Sequence, residues 1–243
     1  EAKAAGKDAF AGGTLTTGDG STTLWTHTRE IGLHAVKGRQ RGGVCPLSAK
    51  RKLVAHGSDA GGGLDMTIEL HNPSKDYSVS LDALGLSMPF DQDFVGRNLV
   101  QVAHQCSFVE PYLGLGGGYV QVTRATGVGP VLLLLPLAMT EFEAWRPFNH
   151  GEDAMRLDFA FERSYELVLH SASYARKEWY TAQPWNVPTS ATLQPGQSRT
   201  YGFRMVLSPS LGQVEATLLR HGMPVAQPLP TPILHTDMTS AAL

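Results

Sequence analysis

Leu64-Asp65-Met66-Thr67-Ile68-Glu69-Leu70 alternates apolar and polar side chains, and Tyr77-Ser78-Val79-Ser80-Leu81-Asp82 does so again after the break His71-Asn72-Pro73-Ser74-Lys75-Asp76. A period of two puts successive side chains on opposite faces, so each run reads as a strand with one buried face. The Asn-Pro step supplies turn chemistry, and the three segments together predict an antiparallel hairpin. A second unit of this kind is centred on Gln194-Pro195-Gly196-Gln197, between strands expected over 189–193 and 199–207. Pro-Gly suits a type II turn, in which Gly supplies the positive φ. Two hairpins of this design set the fold class as antiparallel β.

Outward from these units, 24–28 and 31–36 read as two strands. Residues 37–52 carry Gly38, Gly42 and Gly43 with Lys37, Arg39, Arg41, Lys50 and Arg51, and read as an exposed, solvated loop. Residues 84–90 extend the 77–82 strand toward a loop. Leu99, Val102 and Ala103 fall at helical spacing within 98–105. Gly114-Leu115-Gly116-Gly117-Gly118 precedes a strand at 119–123, not a helix, so a close-packed turn is expected rather than a phosphate loop. A turn follows at 125–129. Val131-Leu132-Leu133-Leu134-Leu135 does not alternate and reads as a strand buried on both faces, inside a sandwich or under a covering layer. Residues 141–146 and 157–169 read as strands and 171–180 as a helical turn. Ser208-Pro209-Ser210 caps a helix over 211–221, with Leu211, Val214, Leu218 and Leu219 on one face and Gly222 as its stop. The whole is mainly β: a large antiparallel β-sandwich of ten to thirteen strands with one or two short helices. The expected organisation is a loose lead-in over 1–22, a β-sandwich domain over 23–222, and an extended, proline-rich linker over 223–243 toward a further domain.

At 243 residues the chain is long enough to bury a core without a disulfide scaffold. Charged residues make up 17%, below the usual ~25%. Lys+Arg 20 against Asp+Glu 22 leaves no basic surplus for a phosphate backbone, which argues against nucleic acid as a partner. Cys45 and Cys106 stand far apart, without a C-x-x-C pair, and are open to one disulfide or two buried thiols. The sequence begins Glu1-Ala2-Lys3-Ala4 without Met, as expected of a processed product or fragment. The most apolar run, 131–139, is interrupted by Pro136 and is too short to cross ~30 Å of hydrocarbon as a helix, so no membrane partner is expected.

G-x-S-x-G, G-x-x-x-x-G-K-[ST] and H-E-x-x-H are absent, and no cofactor is indicated. Thr140-Glu141-Phe142-Glu143-Ala144-Trp145-Arg146 places Glu141, Glu143 and Trp145 on one face of a strand. An indole stacks on the apolar face of a pyranose while carboxylates accept hydroxyl hydrogens, so this face is a candidate sugar platform. Carboxylates two apart on a strand lie ~6–7 Å apart at Cα, compatible with the acid–base pair of a glycosidase. A solvated strand face with one interface Trp is the plainer reading, and outweighs catalysis. His170, Glu178, Trp179, Tyr180, Trp185 and Asn186 form a second cluster in a mostly irregular stretch. It reads as packing on a core, second domain or subunit, or as the edge of a carbohydrate cleft; exposure of Trp179 and Trp185 would favour docking. Asp91-Gln92-Asp93, with Arg97 and His104, lacks the further acids of a calcium loop, and no metal site is expected.

His71-Asn72-Pro73-Ser74, Leu84-Gly85-Leu86-Ser87-Met88-Pro89-Phe90, Cys106-Ser107-Phe108-Val109-Glu110-Pro111-Tyr112, Phe142-Glu143-Ala144-Trp145-Arg146-Pro147, Glu178-Trp179, Pro184-Trp185-Asn186 and Leu193-Gln194-Pro195-Gly196-Gln197-Ser198-Arg199-Thr200-Tyr201-Gly202 occur in this order. Together they resemble the N-terminal part of large, secreted, glycoside-hydrolase-like proteins, some assigned to glycosidase family 43, over about 60–243. The resemblance implies a galactose-mutarotase-like β-supersandwich followed by a six-hairpin (α/α)6 toroid that holds most of the catalytic acids. It implies an extracellular, carbohydrate-active protein whose sandwich assists sugar binding through Trp145, Arg146, Trp179, Trp185 and Asn186. Any chemistry would be glycosidic hydrolysis, with Glu141 or Glu143 as general acid or base and His170 or Glu178 as partner. A structural or interaction domain docking another domain or subunit is the alternative. A mutarotase-type epimerase using a Glu with two of His71, His104 and His170 is a third reading.

Overall fold

The computed structural model describes residues 17–18, 21–33, 45–57, 62–88, 90, 94, 96–137, 139–147 and 165–225. Its strands are β1 (Thr17–Gly18), β2 (Ser21–Leu33), β3 (Cys45–His56), β4 (Gly63–His71), β5 (Val79–Leu81), β6 (Leu84–Met88), β7 (Ser107–Tyr112), β8 (Tyr119–Arg124), β9 (Val131–Leu137), β10 (Ala144–Pro147), β11 (Tyr165–His170), β12 (Ala191–Leu193) and β13 (Ser198–Ser208). Its helices are α1 (Leu99–Gln105), α2 (Ala172–Lys177) and α3 (Val214–Arg220), the last entered through a 3-10 turn at Leu211–Gln213. Eight strands form one sheet in the order β1-β2-β3-β4-β13-β9-β8-β7, and two smaller sheets run β10-β11-β6 and β12-β5. All pairings are antiparallel. The chain is mainly β, as its alternating segments require.

The small sheets close one face of the large one. Leu47, Leu70, Val122, Leu134, Tyr201 and Phe203 of the large sheet share a core with Met88 and Leu167 of one small sheet and Val79 and Leu193 of the other. The opposite face is covered locally by α3, whose Val214 and Leu218 pack on Val131, Leu133 and Leu135 of β9 and Val206 of β13. Strand β9 is therefore apolar at consecutive positions because both of its faces are covered, as its sequence predicts. Each such aliphatic side chain contributes ~1.5–3 kcal/mol on burial. The α3 face differs from expectation at its edges: Val214, Thr217 and Leu218 are buried, while Leu211 and Leu219 are exposed.

Neither predicted hairpin forms, although the predicted strands do. Strand β4 pairs with β3 and β13, and β5 pairs with β12. In the large sheet Ser198 opposes His71; in the small sheet Leu193 opposes Val79. The four strands are one two-stranded ribbon, β4–β5 against β13–β12, which folds across the sandwich at Asn72 and Gly196. The two bends bond each other: Asn72 N donates to Gln197 O at 2.9 Å, and Gly196 N to Asn72 O at 2.9 Å. The fully buried Asn72 side chain donates to Tyr77 O and Leu193 O and accepts from Ser74 N. The 194–197 turn itself is as expected, with Gly196 at φ +73° and Gln197 N bonded to Gln194 O.

Other departures have local causes. The segment expected as a basic loop holds the first part of β3, in which Leu47 and Ala49 are buried while Lys50, Arg51 and Lys52 face solvent; residues 37–44 lie outside the described residues. The two strands expected at 24–28 and 31–36 are one, β2, within its described span. Strand β6 is separate from β5 and joins β11. Strand β7 holds Pro111, which a sheet tolerates at its edge, where β7 lies. Helix α1 is capped reciprocally by Asn98 and Gln101, yet buries none of its residues, and Leu99 is 87% exposed. Gly118 makes the expected close turn: a Cβ there would lie 2.7 Å from Gly114 N.

Candidate functional site

Strand β10 begins at Ala144, so Glu141 and Glu143 precede it and do not share an open strand face with Trp145. This corrects the expected platform: Glu141 is exposed, Glu143 is only 2% exposed, and Phe142 between them is sealed in the core. Phe142 anchors the segment, and a bridge to Gly114 together with the Glu143 N to Val168 O bond turns the Glu143 side chain inward.

Glu143 is the knot of the site. Its Oε2 accepts from Ser171 N at 2.9 Å and Ser171 Oγ at 2.6 Å. Thr189 N donates to both carboxylate oxygens, at 3.1 and 3.2 Å, and the Thr189 hydroxyl donates to Oε1. Asn186 Nδ2 adds a bond to the Glu143 carbonyl at 2.8 Å. A buried carboxylate needs this many donors to offset its desolvation. Because the one hydroxyl proton of Thr189 goes to Glu143, its oxygen accepts from His170 Nδ1 at 2.7 Å. That assigns the tautomer: His170 Nε2 then accepts from the Tyr201 hydroxyl at 2.8 Å. Burial pushes the His170 imidazole below its ordinary value, with nearby Arg199 acting in the same sense and Glu143 opposing. Burial likewise raises the Tyr201 hydroxyl to about 12. The relay Tyr201–His170–Thr189–Glu143 joins β13 of the large sheet, β11 of the small sheet and the 171–190 segment.

That segment carries the aromatic rings. Leu113, Glu143, Ala144, Trp145, Ser171 and Trp179, with residues 182–186, line a cleft of about 240 Å³. Five sequence-predicted residues therefore meet here: Glu143, Trp145, Trp179, Trp185 and Asn186. Trp145 is its rigid wall, stacked on Tyr165 at 5.4 Å and packed on the core. Trp179 is half-buried beside Tyr174. Trp185 is 87% exposed, with Tyr180 and Val187 exposed near it in sequence.

Arg146 and Glu178 are held elsewhere. Arg146 bonds Glu166 at 3.1 Å and Glu178 at 3.5 Å and lies 4.2 Å over the Tyr174 ring. The buried Glu166 carboxyl is raised by its burial, against the pull of Arg146 and the Tyr174 hydroxyl. Ser171 and Thr189, which bond Glu143, Tyr201 of the relay, and Glu166 beside Arg146 were not among the residues expected at the site; their one signal is polar character within buried segments. The three histidines of the epimerase reading sit apart: His71 at the end of β4, bonded to Ser198; His104 exposed on α1; His170 in the relay. Cys106 is a buried thiol accepting from Arg97, and the Cys45 side chain lies outside the described residues. Asp91 and Asp93 also lie outside them. Among the described residues no cluster of three metal-ligating side chains occurs, and no helix is long and apolar enough to cross a membrane.

A model of the family described as "Family of unknown function (DUF5695)" matches residues 37–243. No curated protein matches the sequence. Among solved structures, a polysaccharide lyase superposes with a TM-score of 0.52 at 14% identity, over 72% of this chain and 22% of the lyase. This chain thus spans about a fifth of that enzyme, and the likeness shows a shared fold. A protein described as an aldose 1-epimerase, from Escherichia coli K12, gives a TM-score of 0.38 at 12% identity, over 82% of this chain and 68% of that one.

Proposed function

The chain belongs to the DUF5695 family, and on that premise we propose that its sandwich is the carbohydrate-binding part of a carbohydrate-active enzyme. The observation that carries this reading is the convergence of Trp145, Trp179 and Trp185 with Asn186 on one cleft. Indole faces take the apolar face of a pyranose, and amide groups take its hydroxyls. The polysaccharide lyase of like fold agrees in substrate class.

The cleft binds rather than cleaves. Among the described residues lining it, Glu143 is the carboxylate, and both of its oxygens are engaged by backbone and hydroxyl donors. Glu178 is tied to Arg146. The reading therefore assigns glycosidic bond cleavage to acids outside this lining, in a C-terminal helical toroid of a secreted protein, as the motif resemblance implies. Retention on immobilised polysaccharides tests it. Trp185→Ala is the informative variant, because Trp145 also supports the core; wild-type protein is expected to be retained and the variant to elute early. Equal elution of the two contradicts the reading.

A second reading rests on the 87% exposure of Trp185 beside exposed Tyr180 and Val187. Such a patch also suits docking against another domain or subunit. It predicts self-association, or capture of the downstream domain, that Trp185→Ala abolishes in the absence of sugar.

A further inference from the structure

The 106–112 motif takes no part in the cleft, yet it builds a surface with the features once expected at 141–145. On edge strand β7 the outward side chains are Phe108, Glu110 and Tyr112. They oppose Thr123, Gln121 and Tyr119 of β8. Phe108 is 48% exposed and Tyr112 46%. Each ring is backed by another: Phe108 stacks on Phe94 at 5.5 Å, and Tyr112 on Tyr119 at 4.6 Å. Between them Gln121, 7% exposed, donates to Glu110 Oε2 at 2.6 Å. A groove of about 280 Å³ opens at the Phe108 end, lined by Phe108, Glu110, Gln121, Arg124, Thr126 and Leu211; the Tyr112 ring lies outside that lining, two residues past Glu110 on the same face of β7.

We propose that this groove, continued over Glu110 to the Tyr112 ring, is a second saccharide-binding site, taking a linear oligosaccharide along β7. It is independent of the cleft reading. The rings are fixed by their stacking partners, so little freedom is lost when a sugar face covers them. Residues 108 and 112 lie ~13 Å apart along a strand, a span of more than one pyranose ring. Glu110, steadied by Gln121, is an acceptor for sugar hydroxyls midway between the two rings. A protein strand adding to this edge is disfavoured, because Pro111 lacks the N–H that a ladder needs. A flat protein interface is disfavoured by the acid–amide pair at the centre, where such interfaces are apolar.

The test uses the whole chain. Aromatic ring resonances of Phe108 and Tyr112 are followed by NMR while neutral linear hexasaccharides of the glucan, xylan and mannan series are added, in wild type and in Trp185→Ala. The expected result is that both rings shift together and saturate with at least one series in both proteins. Phe108→Ala should raise Kd about three- to tenfold, and Phe108→Tyr should restore it. Rings that stay fixed with every series overturn the proposal, as do shifts that vanish in Trp185→Ala or that follow protein concentration without sugar. Shifts at Trp179 and Trp185 alone would overturn the groove and leave the cleft standing; shifts at Phe108 and Tyr112 alone would do the reverse.

Discussion

Glu143 and Glu110 are both acids set beside aromatic rings, and their surroundings give them opposite work. Glu143 is buried, with both carboxylate oxygens engaged by Ser171 and Thr189. Glu110 is exposed, with one amide donor from Gln121. The first holds the segment that presents Trp179 and Trp185; the second is free on one side to meet a ligand. An acid next to an indole is therefore not by itself a reactive site. The number of donors already on it decides whether it supports architecture or binding.

The comparison is open to breakage at its strong end first. Glu143→Ala removes the acceptor of several buried donors and should cost ~3 kcal/mol or more in urea unfolding. A loss under ~1 kcal/mol would mean that the knot is not structural. Next is pH. His170 titrates lower in the fold than its ordinary value of 6.5, so below that value the unfolded chain binds more protons than the folded one. Stability from this group is present above pH 6.5 and falls as pH drops below it; His170→Gln should flatten that slope. An unchanged slope would remove His170 from the relay. Tyr201→Phe deletes one relay hydrogen bond and should cost ~1 kcal/mol, since a neutral imidazole nitrogen loses its donor. At the weak end, Glu110→Gln and Trp185→Ala should each stay within ~0.5 kcal/mol of wild type by thermal unfolding while altering sugar retention. A large stability loss in either would merge the two regions into one class.

The elements that were legible in the sequence were those set by local rules. Alternation marked β4 and β5, an unbroken apolar run marked β9, and Pro-Gly marked the 194–197 turn. Partner choice was not legible. Asn72-Pro73 and Pro195-Gly196 both look like hairpin turns from within, yet each is a bend whose partner is the other, more than a hundred residues away. Site residues followed the same division. The indoles stood out by type and fall together. Glu143 stood out as well, but its burial depends on Phe142 entering the core and on Ser171 and Thr189 arriving from a distant segment. Strand β3 was hidden because, among its described side chains, the buried Leu47 and Ala49 stand directly before Lys50, Arg51 and Lys52.

The central claim is that the tryptophan cleft receives a saccharide. Indole N–H resonances of the intact chain during titration with neutral linear oligosaccharides test it most directly. The account predicts that the Trp179 and Trp185 signals shift together and saturate, and that Trp185→Ala abolishes the shift at Trp179. Indole signals unmoved by every glycan, but displaced when the chain self-associates, would contradict it.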